Sequence, residues 1–267
     1  MIATSPQGPV GAPRAVTELA AGQPVRAVWQ NDLGGLTFQV GLGATRRFVK
    51  WTPAGSGIDL AAEVARLRWA ARFAVVPRVL GEGADEAGSW IVTHGLPGRM
   101  AVDDHWKRDP GTAVRAIGSG LRALHDVLPV ADCPFDWSAG ERLERVRSRA
   151  AAGRTDPADW PEDLRHFGTV ERALDVLADV PPVDRFVVCH GDACAPNTLV
   201  GDDGTWTGHV DLGTLGVADR WADLAVATWS TQWNYGPGWE EPLLEAYGVE
   251  PDPERIAYYR LLWELSD

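Results

Sequence analysis

Three residues have the types and spacing to do chemistry together: Asp192, Asn197 and Asp211. The first two flank a short segment, His190-Gly191-Asp192-Ala193-Cys194-Ala195-Pro196-Asn197, and the third follows a hairpin-like stretch. Phosphoryl transfer from ATP needs a carboxylate to orient the attacking hydroxyl and hard oxygen ligands to hold Mg2+ against the phosphates. In that reading Asp192 is the base, and Asn197 and Asp211 hold the metal. Any one of the three alone reads rather as a turn former, because Asp and Asn side chains satisfy turn backbone. What favours chemistry is the set, together with His190 and Gly191.

The elements around them must position this set. Arg185-Phe186-Val187-Val188-Cys189 reads as a buried strand that delivers the loop. Thr198-Leu199-Val200, the turn Gly201-Asp202-Asp203-Gly204, and residues 205–210 form a hairpin ending at Asp211. Upstream, strands are expected at Val25 to Gln30, Thr37 to Leu42, Arg46 to Trp51, Val75 to Leu80 and Ser89 to Thr93. A helix is expected from the N-cap Asp59 to about Arg72, with Leu60, Val64, Leu67 and Ala71 on one face. After Gly95-Leu96-Pro97-Gly98 the pattern turns helical. Helices are expected over Gly111 to Val127, Arg142 to Ala151, Thr169 to Leu177, Asp219 to Gln232, Glu240 to Tyr247 and Pro253 to Leu265. The fold class is α+β, a small β-rich lobe over residues 1–95 and a larger, mainly helical lobe over 96–267. Residues 1–14 are expected to be a disordered lead-in.

Bulk properties narrow the function classes. A chain of 267 residues with 45% hydrophobic and 23% charged content is that of an ordinary globular protein. No apolar run reaches the roughly 20 residues that span a bilayer, and the N-terminus lacks the features of a secretory signal. Three cysteines without paired or metal-ligand spacing suit a reducing cytoplasm. The net charge of −12 argues against nucleic acid and suits a cationic small substrate, or simply solubility. Of 25 basic residues only Lys50 and Lys107 are lysines, and Lys50 sits on a candidate strand.

The segment from Val188 to Asn197, and Gly208-His209-Val210-Asp211-Leu212-Gly213, resemble the signature of the aminoglycoside phosphotransferases, a family with a protein-kinase-like two-lobe fold. Leu124-His125 with Cys133-Pro134-Phe135-Asp136, and residues 255–262, extend the resemblance to the C-terminus. The family implies ATP and Mg2+ as cofactors and His190 as a brace of the catalytic loop. It implies that Lys50 contacts the ATP phosphates, that Glu63 holds Lys50, and that Gly34 and Gly35 let the loop 31–36 approach those phosphates. It also implies that the hinge carrying Thr93, His94 and Leu96 meets adenine. Acids at Glu162, Asp163, Glu264 and Asp267 would grip the amines of an aminoglycoside phosphorylated at its 3′-hydroxyl, which confers resistance. The sequence departs from the family where Trp263 stands at an acidic position and where Trp229 and Trp233 interrupt a charged helix. These tryptophans either stack on the acceptor or pack a core. They keep open an alternative acceptor, another amino sugar or hydroxylated metabolite. A non-catalytic nucleotide binder is a third reading, disfavoured by the full catalytic set. Partners beyond the small-molecule substrate are not expected, and the oligomeric state stays between monomer and homodimer.

Overall fold

A computed structural model describes the chain except residues 1–5, 7, 9, 32 and 267, and the side chain of Asp163. Two compact units result: residues 1–97 together with His209–Gly213, and residues 98–208 together with 214–267.

The first unit is built on an antiparallel sheet of β1 (Val25–Gln30), β2 (Leu36–Val40), β3 (Arg47–Pro53), β4 (Val79–Ala84) and β5 (Gly88–His94), in the order β1-β2-β3-β5-β4. Side chains alternate across a strand. Val49 therefore joins the core with Phe38, Val40 and Val92, and Lys50 faces the other way. In register, Lys50 lies between Thr37 of β2 and Ile91 of β5, so it is fixed at the centre of the sheet. Helix α2 (Leu60–Ala70) begins where Asp59 accepts the Ala62 N–H at 3.0 Å, the N-cap expected from sequence.

Two expectations here are corrected. Residue 14 does not belong to a lead-in: Arg14 starts helix α1 (Arg14–Ala20), which buries Val16 and Ala20 in the sheet core. Earlier residues of the lead-in fall largely outside the described set. The strand expected at Val75 to Leu80 lies instead at β4. That strand is an edge with Gly81, Glu82 and Gly83 at its middle, so neither apolar alternation nor β-branched residues mark it.

The second unit contains β6 (Arg99–Met100), α3 (Asp104–Lys107), α4 (Pro110–Val127), α5 (Ala139–Ala151), α6 (Val170–Ala178), β7 (Phe186–Cys189), β8 (Thr198–Val200), β9 (Trp206–His209), β10 (Gly216–Asp219), α7 (Trp221–Tyr235), α8 (Glu240–Tyr247) and α9 (Pro253–Ser266). Strand β7 pairs antiparallel with β10, and β8 lies between β6 and β9. β6, α3 and β10 are too short to leave a periodic signal.

The helices form the core of this unit. α4 packs on α8, and α9 on α7 and α5. α4 buries one apolar stripe, Ala113, Val114, Ile117, Leu121 and Leu124. By contrast, α7 is buried on every side from Trp221 to Thr231, so it is a central helix rather than a surface one. One charged residue, Asp223, is sealed inside that buried run.

Candidate functional site

In the first unit the sheet presents Lys50 to two carboxylates. Its Nζ donates to Glu63 Oε2 at 2.7 Å and to Asp211 Oδ1 at 2.6 Å. Burial works against the ammonium, but the charges of Asp211 and Glu63 outweigh it and hold the Lys50 pKa well above the ordinary lysine value. Lys50 is therefore a fixed, permanently charged cation on a strand. Glu63 is buried on α2, while the Asp211 side chain is 38% exposed. Asp211 has φ +63, a left-handed backbone conformation rare for a residue with a side chain. Such an outlier persists only where its surroundings enforce it, and it clusters at functional positions.

The loop 31–36 is closed by its first residue. Asn31 Oδ1 accepts the N–H groups of Leu33 at 3.1 Å and Gly35 at 2.7 Å. Gly34 has φ +80, and a Cβ on Gly35 would lie 2.7 Å from the Asn31 amide, so both positions require glycine. At the end of β5, Thr93 is buried, His94 donates to the Arg78 carbonyl at 2.9 Å and Gly95 to the Arg46 carbonyl at 3.0 Å. The Leu96 carbonyl accepts from Arg46. The Leu96 N–H has no partner among the described residues.

In the second unit β7 delivers the loop that bears Asp192 and Asn197. Asn197 Nδ2 donates to Asp192 Oδ2 and to the Asp192 carbonyl, both at 3.0 Å. These two bonds fix the amide so that its carbonyl oxygen is turned away from Asp192. An amide oxygen and a carboxylate are hard donors of the kind Mg2+ takes. Asp192 Oδ1 is buried and accepts no hydrogen bond among the described residues. An unpartnered carboxylate oxygen is costly to bury, and a substrate hydroxyl is the kind of group that satisfies it.

The loop itself is held from behind. Asp223 on α7 accepts the backbone N–H of His190 at 2.6 Å through Oδ2 and that of Gly191 at 2.9 Å through Oδ1. Asp223 Oδ2 also meets His125 Nε2 at 2.9 Å, and His125 Nδ1 meets the Tyr247 hydroxyl at 2.9 Å. Burial alone would raise the Asp223 pKa; hydrogen bonding and charge from His125 reverse that and hold it below the ordinary value. An ionised carboxylate only accepts, so His125 carries a proton on Nε2, where it meets Asp223. Further along α7, Ser230 Oγ accepts the Ala195 N–H at 2.9 Å. Gly191 has φ +89, and a Cβ there would lie 2.3 Å from the Thr214 carbonyl oxygen.

His125, Cys189 and Asp223 place ligand-type atoms within 4.8 Å of one another, all buried. Both Asp223 oxygens already serve the loop. Burial keeps the Cys189 thiol protonated, and it donates to the Asp219 carbonyl at 3.3 Å. The cluster is a brace, not a metal centre. His190 is also buried, and its Nδ1 accepts the Asp192 N–H at 3.3 Å, the supporting place given to it from sequence.

Among the acids named for the acceptor, Glu162 is exposed in a 3-10 turn and Glu264 is partly buried on α9. The Asp163 side chain and Asp267 lie outside the described residues. Trp229, Trp233 and Trp263 come together as one aromatic cluster, with ring centroids 4.9 to 6.2 Å apart. Asp223 and Ser230 were missed from sequence. Asp223 had a legible signal: an acid embedded in Trp221-Ala222 and Leu224-Ala225-Val226-Ala227 is buried on every helical face and must have buried partners. Ser230 had none, because a serine on a helix serves equally as filler.

The model of the phosphotransferase enzyme family matches residues 26–259. An aminoglycoside 3′-phosphotransferase of Streptomyces fradiae is 35% identical over 253 residues, 89% of this chain and 93% of that protein. The solved aminoglycoside phosphotransferase APH(3″)-Id of Streptomyces rimosus has TM-score 0.78 and 28% identity, covering 94% of this chain and 96% of its own. The same protein in complex with ADP and streptomycin has TM-score 0.67 and 29% identity, covering 88% of this chain and 94% of its own. With the family match spanning the Lys50 strand, the Asp192 loop and Asp211, the chain belongs to the phosphotransferase enzyme family.

Proposed function

We propose that the protein transfers the γ-phosphoryl group of ATP to a hydroxyl of an aminoglycoside, at the 3′ position, and so confers resistance. The observation that carries this reading is Asp192, anchored through Oδ2 by Asn197, with an Oδ1 that has no partner among the described residues. Asp192 orients the acceptor hydroxyl and takes its proton as the new O–P bond forms. The P–O bond to ADP breaks, and its electron pair leaves with ADP. Little other covalent chemistry is needed, so the remaining residues position and neutralise charge.

Lys50, held by Glu63, binds the α- and β-phosphates. Gly34 and Gly35 bring backbone close to the phosphates. The adenine edge falls along Thr93, His94 and Leu96, where the Leu96 N–H is the donor still to be satisfied. Asn197 and Asp211 would hold Mg2+, which when bound neutralises phosphate charge. Glu162, Asp163, Glu264 and Asp267 draw the acceptor's ammonium groups, in keeping with the net charge of −12. Support for the acceptor class comes from the fradiae relative's name and from the rimosus protein's complex with ADP and streptomycin. Three free cysteines fit a cytoplasmic location.

One observation favours a second acceptor class, another amino sugar or hydroxylated metabolite. Trp263 replaces an acid and joins Trp229 and Trp233 in a cluster, so contact with the acceptor is less ionic than the family pattern implies. An ADP-release assay on kanamycin, neomycin, streptomycin and a panel of simple amino sugars separates the two. Turnover of an aminoglycoside supports the first reading; turnover confined to the simple sugars selects the second.

A further inference from the structure

The three-tryptophan cluster is asymmetric in a way core packing does not require. Trp229 and Trp263 are 2% and 6% exposed, as expected of core residues, but Trp233 is 50% exposed. Its ring lies 4.9 Å from Trp229, at 48°, and 5.9 Å from Trp263, at 38°. A large indole left half in water is thus held rigidly by two buried ones. Such a side chain costs little further ordering when a ligand settles on it.

Trp263 Nε1 is buried and has no hydrogen-bond partner among the described residues. The buried Nε1 groups of Trp51, Trp106 and Trp137 likewise have none among the described residues, so the cluster is set apart by the exposed Trp233 ring. Arg260 lies over the Trp229 ring at 5.7 Å and pairs with Glu240 at 2.8 Å, so that acid is already neutralised.

The cluster is also tied to the catalytic loop through one helix. Ser230, which holds the Ala195 N–H, lies between Trp229 and Trp233 on α7. Trp233 is three residues beyond Ser230, on the same side of the helix. A ligand resting on Trp233 would therefore be registered against the loop that carries Asp192 by continuous, packed structure.

We propose that Trp233, backed by Trp229 and Trp263, is a stacking platform for a sugar ring of the acceptor. The inference rests on the proposed function and deepens it. Specificity comes partly from the apolar C–H face of a ring rather than from ammonium groups alone. Sugar faces stack on indole because the ring carries C–H groups on one side and its hydroxyls at the edge.

The test uses the full-length chain with kanamycin as acceptor, comparing wild type, Trp233→Ala and Trp233→Phe. Losing a stacking contact removes binding that is equal in ground and transition states, so KM moves and kcat does not. Trp233→Ala is expected to raise the kanamycin KM about tenfold, equal to about 1.4 kcal/mol, with kcat and the ATP KM within about twofold of wild type. Trp233→Phe restores most of the affinity. In wild type, kanamycin without nucleotide changes the intrinsic tryptophan fluorescence, and this change is lost in Trp233→Phe. A kanamycin KM unchanged in Trp233→Ala, in a wild type that does turn over kanamycin, overturns the platform and leaves the proposed function standing. A parallel rise in the ATP KM overturns it too, since a general loosening is then the cause. A wild type that phosphorylates no aminoglycoside sinks the functional reading and this inference with it.

Discussion

Replacing Asp223 by Asn tests whether the catalytic loop is held from behind by a charge. Asp223 accepts three N–H groups: His190 and Gly191 backbone at 2.6 and 2.9 Å, and His125 Nε2 at 2.9 Å. Asparagine keeps the shape but not the charge. Its NH2 must face at least one of these donors, which leaves that donor buried and unpaired. Each charge-assisted bond contributes about 1.5–3 kcal/mol, and an orphaned buried donor costs about 1–3 kcal/mol. A loss of roughly 3–5 kcal/mol follows, or a fall in Tm of on the order of 10 °C for a chain of this size. The pH dependence has a definite sign. The folded pKa of Asp223 is depressed, so its contribution is present above the unfolded value of about 3.9 and lost as pH falls through the folded one. The gap between wild type and variant should therefore be full at neutral pH and shrink below about pH 4. Thermal melts from pH 3 to 8, paired with kcat, measure both effects. A Tm within about 2 °C of wild type at pH 7, with kcat unchanged, refutes the brace.

Other expectations follow from the same geometry. Lys50→Met should raise the ATP KM and lower kcat by about two orders of magnitude or more, because it removes the cation that pairs with both Asp211 and Glu63; unchanged ATP kinetics would count against its phosphate role. Asn197→Ala and Asp211→Ala should raise the Mg2+ concentration needed for half-maximal rate, read by titration, and identical Mg2+ curves in both would remove them as ligands. Gly191→Ala should destabilise by a few kcal/mol, since the residue sits at φ +89 with the Thr214 carbonyl 2.3 Å from where a Cβ would be; a Tm equal to wild type would mean the loop can shift without penalty.

Legibility in the sequence was uneven for physical reasons. Long helices announced themselves through stripes such as Ala113, Ile117, Leu121 and Leu124 on α4, which one-sided burial demands. Helix α2 was marked by its Asp59 cap, and β1 by its run of strand formers between turns. Edge strand β4 was misplaced because glycines and a glutamate facing solvent carry no pattern. α1 was missed because three buried residues in seven, Ala15, Val16 and Ala20, are too few for a period. In the site, Lys50 and Glu63 could be paired through the family resemblance, and their contact is 2.7 Å. Contacts made through backbone N–H groups, such as Asp223 with His190 and Gly191, leave no trace in the partner's residue type. They become visible only in three dimensions.

The central claim is that Asp192 is the base of a phosphoryl transfer to an aminoglycoside. Its most direct test is a single-turnover reaction of ATP and kanamycin with wild type and with Asp192→Asn, the product followed by mass spectrometry. Wild type is expected to give a monophosphorylated kanamycin, and the variant a rate about a thousandfold lower with ATP binding intact. Equal rates from the two proteins, or hydrolysis of ATP by wild type without any phosphorylated acceptor, would contradict it.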